Sequence, residues 1–295
     1  MIIIADSGST KTNWTIISNK KEADGRHMMD AIRTQGLNPF FTSREGLIEA
    51  YEAVKGVCQN MEPGYDSKDI RVYFYGAGMD SDEAFERIRK PLLEVFPGAY
   101  TDIQSDLLAS CRATCGDEPG MVAIFGTGSN SCLYDGKKMV ANVTALGNAL
   151  DCDEGSGNAI GRKLIYGYLR HRMPKELAEE FHKEYPLTQD DFLTGVYNKP
   201  NPNRFMASFA PFAVHRQDNE WIKNMLHDVY GLFFREQIAY YENAPKVLHA
   251  TGSIAYYCKP TIEKVAEEYG YKMGVVIADP MEGLIQYHIE QNFKD

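Results

Sequence analysis

Residues 2–12 of the chain read IIIADSGSTKT, an apolar run that ends in an acid and passes into small residues. An apolar run bounded by turn residues is typical of a buried strand. The small residues after it would let backbone N–H groups and hydroxyls close on an anion such as phosphate. An ordinary hairpin turn is the alternative, because glycine and serine are common in turns.

The same pattern returns in the middle of the chain, where residues 121–134 read MVAIFGTGSNSCLY. Strand, Gly/Ser/Thr turn and strand therefore occur twice, and a duplicated lobe is the economical explanation. Two such turns in duplicated lobes could grip one polyphosphate from both sides. A third small-residue turn, at 251–253, follows another apolar strand and suits the close approach of a flat nucleoside. None of these turns is a P-loop, because the G-x-x-x-x-G-K-[ST] spacing is absent.

The segments between the turns predict a mixed α/β chain. A helix is expected to begin at Thr42, with Glu45 completing a capping box, and the longest helix is expected over 218–242. Strands alternating with helices favour a mixed sheet in each lobe. Further strands are expected over 70–75, 100–103, 246–250 and 274–278.

Length and composition indicate an ordinary globular protein that is long enough for two compact lobes. The chain has 295 residues, of which 44% are hydrophobic and 24% are charged. Its net charge of −10 and its lack of a basic run disfavour nucleic acid and anionic membranes as partners. No apolar stretch approaches the ~20 residues that span a bilayer, and no signal peptide is evident, so the expected location is cytoplasmic.

The order of the motifs resembles that of the N-acetylglucosamine kinase branch of the BadF/BadG/BcrA/BcrD ATPase family. That family belongs to the superfamily of sugar kinases, heat-shock ATPases and actin. The likeness spans nearly the whole chain, from residue 6 to residue 283. It rests on five motifs in order: Asp6-x-Gly8-x-Thr10-Lys11-Thr12, Asp106 at a helix start, Gly126-Thr127-Gly128-Ser129, Asp153-Glu154-Gly155-Ser156-Gly157 and Thr251-Gly252-Ser253.

The resemblance implies an α/β architecture of two duplicated ribonuclease H-like lobes, each with a mixed sheet, in an actin-like ATPase fold with a central cleft. The N-terminal lobe would comprise residues 1–107 plus 281–295, and the C-terminal lobe residues 108–280. ATP and Mg²⁺ are the implied cofactors, and Asp6 could hold Mg²⁺ through water, since Mg²⁺ prefers one or two carboxylates plus phosphate oxygens. The implied ATP-binding residues are Asp6, Gly8, Ser9, Thr10, Lys11, Gly126, Thr127, Gly128, Ser129, Gly252 and Ser253.

The resemblance also implies a catalytic base and a sugar site. Asp106 matches the carboxylate that accepts the proton of the sugar hydroxyl as the γ-phosphoryl group transfers. The alternative for Asp106 is a helix N-cap, and for Asn38 it is a turn before Pro39. Asp153 and Glu154 could instead be a helix start stabilised by the macrodipole. The implied sugar-binding residues are Asn38, Gly147, Asp153 and Glu154.

The predicted function is an ATP-dependent kinase that phosphorylates a hydroxyl of N-acetylglucosamine or a related amino sugar, its small-molecule partner. One alternative is the activator branch, which couples ATP hydrolysis to electron transfer through an iron–sulfur cluster held by cysteine thiolates. The six cysteines show no cluster or zinc spacing and are expected to be reduced and mostly buried. A non-catalytic sugar sensor is a further alternative, although Asp6 and Asp106 are both present. A homodimer is among the open oligomeric states.

Overall fold

The computed structural model describes residues 1–8, 11–79 and 81–293. The chain forms two compact units, the first made of Met1–Ala113 with Pro280–Asp295 and the second of Thr114–Asp279. Within the described part of the chain, every helix is too short or too polar to cross a membrane.

The described part of the chain consists of strands and helices with short connections between them. The strands are β1 (Ile2–Ser7), β2 (Lys11–Lys21), β3 (His27–Gln35), β4 (Arg71–Gly76), β5 (Tyr100–Ser105), β6 (Gly120–Phe125), β7 (Ser129–Tyr134), β8 (Met139–Asn142), β9 (Val247–Thr251) and β10 (Lys272–Ile277). The helices are α1 (Arg44–Met61), α2 (Asp82–Val95), α3 (Asp106–Cys115), α4 (Gly157–Leu169), α5 (Lys175–Glu184), α6 (Gln189–Tyr197), α7 (Pro202–Ala207), α8 (Ala210–Val214), α9 (Glu220–Glu236), α10 (Ser253–Tyr257), α11 (Lys259–Glu268) and α12 (Met281–Asn292).

Each unit contains a five-stranded mixed sheet, and the two sheets share one topology. The first has the order β3-β2-β1-β4-β5, with β1 antiparallel to β2 and parallel to β4. The second has the order β10-β9-β6-β7-β8, with β6 antiparallel to β7 and parallel to β9. The central strands β1 and β6 therefore have equivalent neighbours on both sides. This confirms the duplicated α/β architecture predicted from the repeated strand–turn–strand pattern.

The apolar run of β1 is continuous because both faces of the first sheet are covered. Ile3 and Ala5 pack into a cluster with α1 and α2, whereas Ile2 and Ile4 pack on the opposite face with residues of α3 and α12. Successive strand residues point to opposite faces, so a strand covered on both sides has no polar stripe. Full burial of each such isoleucine contributes about 1.5–3 kcal/mol.

The longest predicted helix is shorter in the structure than the sequence indicates. It was expected over 218–242, but α9 begins after Asn219, whose side chain accepts from the backbone N–H groups of Trp221 and Ile222. At its other end the helix stops at Glu236, and residues 238–240 form a 3-10 turn. The side chains of Gln237 and Tyr241 are both bonded to Ser131 on β7. Tertiary hydrogen bonds thus replace the helical pattern in this segment.

Candidate functional site

The first small-residue turn connects β1 to β2 at the end of the first sheet. Gly8 donates its backbone N–H to the carbonyl of Lys11 at 3.0 Å, which closes the turn. Asp6 is half-buried at the end of β1. Ser9 and Thr10, predicted to bind ATP, lie outside the described residues.

The Ser7 hydroxyl stabilises this turn from within the protein. It is buried, lies 2.8 Å from the Thr12 hydroxyl and accepts from the backbone N–H of Leu37 at 3.0 Å. A backbone bond from Ala77 to the Ser7 carbonyl, at 3.2 Å, joins the turn to the segment after β4. Serine therefore ties the turn to the segment that carries Asn38.

Asn38 forms a turn, in agreement with the alternative interpretation of this residue. Its Oδ1 accepts from the backbone N–H of Phe40 at 2.9 Å, and its Nδ2 donates to the carbonyl of Ala77 at 3.4 Å. Because a side-chain amide has two N–H donors, this contact leaves Nδ2 with capacity for a further bond. Gly78, with a φ of +79°, lies close by, and a Cβ there would be 3.1 Å from Nδ2.

The predicted capping box at Thr42 is wrong. Ser43 is the N-cap of α1, and its side chain accepts from the backbone N–H of Gly46 at 3.2 Å. The Thr42 hydroxyl instead accepts from the backbone N–H of Asn38 at 3.0 Å and donates to the carbonyl of Gly36 at 3.1 Å. Thr42 thus holds the Asn38 turn, a role that a capping pattern does not reveal.

Asp106 is the first residue of α3, directly after β5. The start of α3 is capped by the preceding residue, Ser105, whose hydroxyl accepts from the backbone N–H of Leu108 at 3.3 Å. Burial raises the pKa of the Asp106 carboxyl, while the N–H groups of Leu107 and of Asp106 itself partly oppose this. A carboxylate with a raised pKa is a stronger base, as proton abstraction from a hydroxyl requires.

The second small-residue turn connects β6 to β7 in the second unit. Gly126 donates its N–H to the carbonyl of Gly128 at 3.0 Å. The first turn of α4 binds the same loop: Gly157 donates to the carbonyl of Gly126 at 2.9 Å, and Asn158 donates to that of Thr127 at 3.0 Å. The loop carbonyls are thereby held by the helix start.

The third turn packs directly on the second. Gly252 has a φ of +111°, and a Cβ there would lie 2.2 Å from the carbonyl oxygen of Phe125 and 3.4 Å from the backbone N of Gly126. Only glycine fits this approach. The structure therefore brings together the predicted Gly126–Ser129 and Gly252–Ser253 motifs, which are far apart in sequence.

Asp153 lies beside the second turn. It is buried, its Oδ2 accepts from Nδ2 of Asn158 at 2.9 Å, and a Cβ on Gly128 would be 2.9 Å from its Oδ1. Burial raises the pKa of Asp153, opposed by bonds from Asn158 and the backbone of Ser129. Asn158 was not singled out from the sequence, because a lone asparagine in a helix carries no pattern. Nδ2 of Asn158 also donates to Oδ1 of Asn148 at 3.0 Å.

Gly147, another predicted sugar-binding residue, lies in the segment next to Asn148. It has a φ of +72° and forms an isolated antiparallel bridge with Cys152. The backbone N–H of Cys152 donates to the Gly147 carbonyl at 3.1 Å. The bridge closes a small loop, and Asp151 within it forms an ion pair with Arg162 of α4.

Glu154 belongs to a buried polar network beneath the second turn. Its Oε2 accepts from Nε2 of Gln237 at 2.9 Å, and Oε1 of Gln237 accepts from the Ser131 hydroxyl at 3.0 Å. The Tyr241 hydroxyl donates to the Ser131 carbonyl at 2.7 Å. Gln237 was also missed from the sequence, since it lies among apolar residues at the end of a long helix pattern.

Replacing Gln237 by leucine should lower the free energy of unfolding by about 1–3 kcal/mol, because Glu154 and Ser131 would lose a buried partner. Denaturant unfolding measures the change. The matched control is Gln59→Leu on the exposed face of α1, for which a change within about ±0.5 kcal/mol is expected. Equal stability of the two variants would contradict the importance of the network.

The described part of the first turn offers a magnesium ion one carboxylate, that of Asp6. Within the described ranges, no group of three or more His, Cys, Asp or Glu side chains is placed to hold a metal. Mg²⁺ often uses only one or two protein carboxylates and completes its shell with water and phosphate oxygens. Asp6 supplies one half-buried carboxylate at the end of β1.

The solved structures that are similar to the chain along nearly its whole length include the following three. A protein from Porphyromonas gingivalis named "Putative N-acetylglucosamine Kinase" is 37% identical, with 100% of both chains covered and a TM-score of 0.85. A protein from Chromobacterium violaceum with the same name is 13% identical, with 97% of this chain and 98% of that chain covered and a TM-score of 0.70.

The third is a ROK family glucokinase from Streptomyces griseus in complex with glucose and AMPPNP. It is 13% identical, with 97% of each chain covered and a TM-score of 0.57. At this identity it shows the fold alone, as does the Chromobacterium violaceum protein. No protein-family model matches the chain, and no curated protein matches it.

Proposed function

Because the chain belongs to the family of N-acetylglucosamine kinase-like proteins with the actin-like ATPase fold, we propose that it phosphorylates an amino sugar with ATP. The observation that carries this proposal is the full-length likeness to the Porphyromonas gingivalis protein at 37% identity. This chain is a carbohydrate kinase by family, and the acceptor that we propose for it is N-acetylglucosamine or a closely related amino sugar.

Asp106 is proposed as the general base. The sugar hydroxyl oxygen attacks the γ-phosphorus, the bond from that phosphorus to the β,γ-bridging oxygen breaks, and the hydroxyl proton passes to the Asp106 carboxylate. The products are ADP and a sugar phosphate, and the proton then leaves to solvent. Phosphoryl transfer of this kind depends mainly on positioning and charge stabilisation. The raised pKa of Asp106 supports its role as the proton acceptor.

The glycine turns are proposed to bind ATP. In the first unit the set is Asp6, Gly8, Ser9, Thr10 and Lys11, and in the second it is Gly126, Thr127, Gly128, Ser129, Gly252 and Ser253. The N–H groups of Gly8, Gly126 and Gly252 are already bonded within the protein, so the other backbone N–H groups and the hydroxyls of the set are the ones that suit phosphate oxygens. The positive φ of Gly252 lets the third turn pack against the second. When bound, Mg²⁺ would neutralise phosphate charge, and Asp6 would hold it through water.

The sugar is proposed to bind to Asn38, Gly147, Asp153 and Glu154. Asn38 offers an amide N–H in the first unit, and Asp153 offers a carboxylate in the second. Glu154 is bonded to Gln237, so its contribution would be to fix the segment that carries Asp153. Amide and carboxylate groups each suit the hydroxyls and the amide of an amino sugar.

The test is sugar-dependent release of ADP from Mg-ATP by the purified protein. A panel of N-acetylglucosamine, N-acetylmannosamine, glucosamine, glucose and mannose separates amino-sugar from hexose acceptors, and mass spectrometry of the product identifies the sugar phosphate. We expect the greatest stimulation by an N-acetylated amino sugar. Absence of stimulation by every sugar of the panel would exclude the proposed activity.

The cysteines favour this function over the activator-type ATPase. Cys58, Cys111, Cys132 and Cys258 are buried. Burial raises the pKa of the Cys58 thiol to about 12 and also raises that of Cys258, which disfavours the thiolate form needed for iron–sulfur ligation. These side chains behave as small apolar core residues.

The acid limb of the pH profile should report Asp106. Its pKa is raised above 3.8, and the ionised form accepts the proton, so kcat/KM should fall as pH decreases through a value above 3.8. Direct chromatographic measurement of ADP between about pH 4 and pH 8 avoids coupling enzymes. An acid limb at or below the ordinary carboxyl value would contradict the assignment of Asp106 as the base.

A further inference from the structure

A buried polar cluster lies against α3 in the first unit and has no part in the proposed chemistry. Nη1 of Arg112 donates to the Tyr75 hydroxyl at 2.6 Å and to Oδ2 of Asp102 at 3.1 Å. The Tyr75 hydroxyl lies 2.8 Å from Nε2 of His288, and the side chains of Tyr75 and His288 are both 1% exposed. We call Arg112, Tyr75, Asp102 and His288 the α3 anchor.

The α3 anchor joins four elements of the first unit. Arg112 is in the last turn of α3, Tyr75 is on β4, Asp102 is on β5 and His288 is on α12. The backbones of α3 and α12 also meet, because a Cβ on Gly283 would lie 2.4 Å from the carbonyl oxygen of Ala113. The C-terminal end of α3 is therefore held from several directions.

The donors and acceptors of the anchor have a defined order. Arginine can only donate, so the Tyr75 oxygen accepts from Arg112 and its own hydrogen goes to Nε2 of His288. Burial, helped by the charge of Arg112, lowers the pKa of His288 to about 3, and a neutral ring can accept this bond. The chain of bonds from Arg112 through Tyr75 to His288 thus runs in one direction.

The anchor is poorly suited to stability alone. Nε of Arg112 and Nδ1 of His288 are buried and have no hydrogen-bond partner among the described residues. Buried polar groups without partners destabilise a fold, and an apolar cluster of similar volume often stabilises a core at least as well. What the polar cluster offers instead is a directional bond geometry that specifies where α3 lies.

We propose that Arg112 and Tyr75 are positioning residues that hold α3, and with it the base at its first residue, in place for proton transfer. This inference rests on the proposed function, because it takes Asp106 as the base. The helix has ten residues, with Asp106 at its start and Arg112 in its last turn, so a tilt at the anchor moves the carboxylate. Displacement of a reacting group by about 1 Å can lower a rate by about 100-fold.

The anchor acts through position and not through charge. The pKa of Asp106 is raised by burial and lowered by backbone N–H groups, and Arg112 is not among its causes. Loss of Arg112 should therefore lower the plateau of kcat without moving the acid limb of its pH profile. An electrostatic role would move the limb, and a purely structural role would lower stability while leaving kcat of the folded protein unchanged.

The experiment compares Arg112→Met and Tyr75→Phe with Tyr100→Phe, a matched control on β5 whose side chain is 54% exposed. We expect kcat to fall by about 10-fold to 100-fold in Arg112→Met and by about 5-fold in Tyr75→Phe, with both KM values changed by less than about 2-fold. The acid limb should stay in place, and the control should keep the kcat of the unmodified protein. Assays run well below the unfolding temperature of each variant.

Amide hydrogen exchange of α3 supplies a readout that needs no turnover. Exchange at residues 108–111 should be faster in Arg112→Met than in the unmodified protein. Unchanged exchange, unchanged kcat or a shifted acid limb would each overturn the inference. If the unmodified protein itself shows no sugar-dependent ADP release, the proposed function fails, whereas faster exchange in the variant would still show that Arg112 holds α3.

Discussion

Replacing Asp106 by asparagine should lower kcat by about 100-fold to 10,000-fold, the range typical of losing a positioned general base. The amide keeps the size of the side chain and can still accept from the backbone N–H of Leu107, so the start of α3 should remain intact. The KM for ATP should change little, because the base acts on the sugar hydroxyl. Single-turnover measurement of ADP formation separates the chemical step from product release.

The same substitution should not weaken the fold. Burial raises the pKa of Asp106 in the folded state above its ordinary value of 3.8. The protonated carboxyl therefore stabilises the folded state below pH 3.8, and this stabilisation is lost as the pH rises through the folded-state pKa. At neutral pH the buried charge is therefore unfavourable, and asparagine should raise the free energy of unfolding. Thermal unfolding at neutral pH checks the direction.

The matched control is Asp82→Asn, because Asp82 is likewise the first residue of a helix of the first unit but is exposed. Its removal should reduce stability by about 0.3–1 kcal/mol through the helix dipole and leave kcat unchanged. Retention of more than about a tenth of kcat in Asp106→Asn would show that another group accepts the proton.

Replacing Gly252 by alanine should damage both stability and nucleotide binding. The new Cβ would lie 2.2 Å from the carbonyl oxygen of Phe125, in a backbone conformation with a φ of +111°. Strain and overpacking together should lower the free energy of unfolding by about 2–4 kcal/mol. Phe125 would have to move, and it leads directly into the turn at Gly126, so we expect the Kd for ATP to rise by at least about 10-fold.

Isothermal titration with ATP below the unfolding temperature measures this loss in the folded protein. Gly56→Ala is the control, because Gly56 lies in α1 with open space around its added Cβ. Alanine there should raise stability by about 0.5–1 kcal/mol without affecting ATP binding. Unchanged ATP affinity in Gly252→Ala would remove the third turn from the proposed nucleotide site.

The fold was accessible from the sequence because its determinants are local and repeated. The apolar run 2–5 and its counterpart 121–125 each predict a strand buried on both faces, and each leads into a small-residue turn. Duplication of this pattern predicts two lobes with equivalent sheets, and the shared strand order confirms it. The positions of the glycine turns followed from the same pattern, although their roles remain predictions.

The contacts of the candidate site were not accessible in the same way, because the residues that make them carry no recognisable pattern and some of their partners lie far apart in the chain. Asn158 and Gln237 carry no motif, yet they bond the buried carboxylates Asp153 and Glu154. Gln237 is 83 residues from Glu154, and its predicted place within a long helix was wrong. Hydrogen bonds between distant side chains leave no periodic trace in a sequence.

By itself, the sequence determined where strands end and small-residue turns begin, since burial and turn chemistry depend on neighbouring residues. Only the tertiary structure decided how those turns are used. It placed Gly252 against Phe125, assigned the capping of α3 to Ser105 and left Asp106 at the helix start, and set Arg112 against Tyr75. Each of these depends on how sheets and helices pack, because packing selects which of several chemically suitable partners comes within bonding distance.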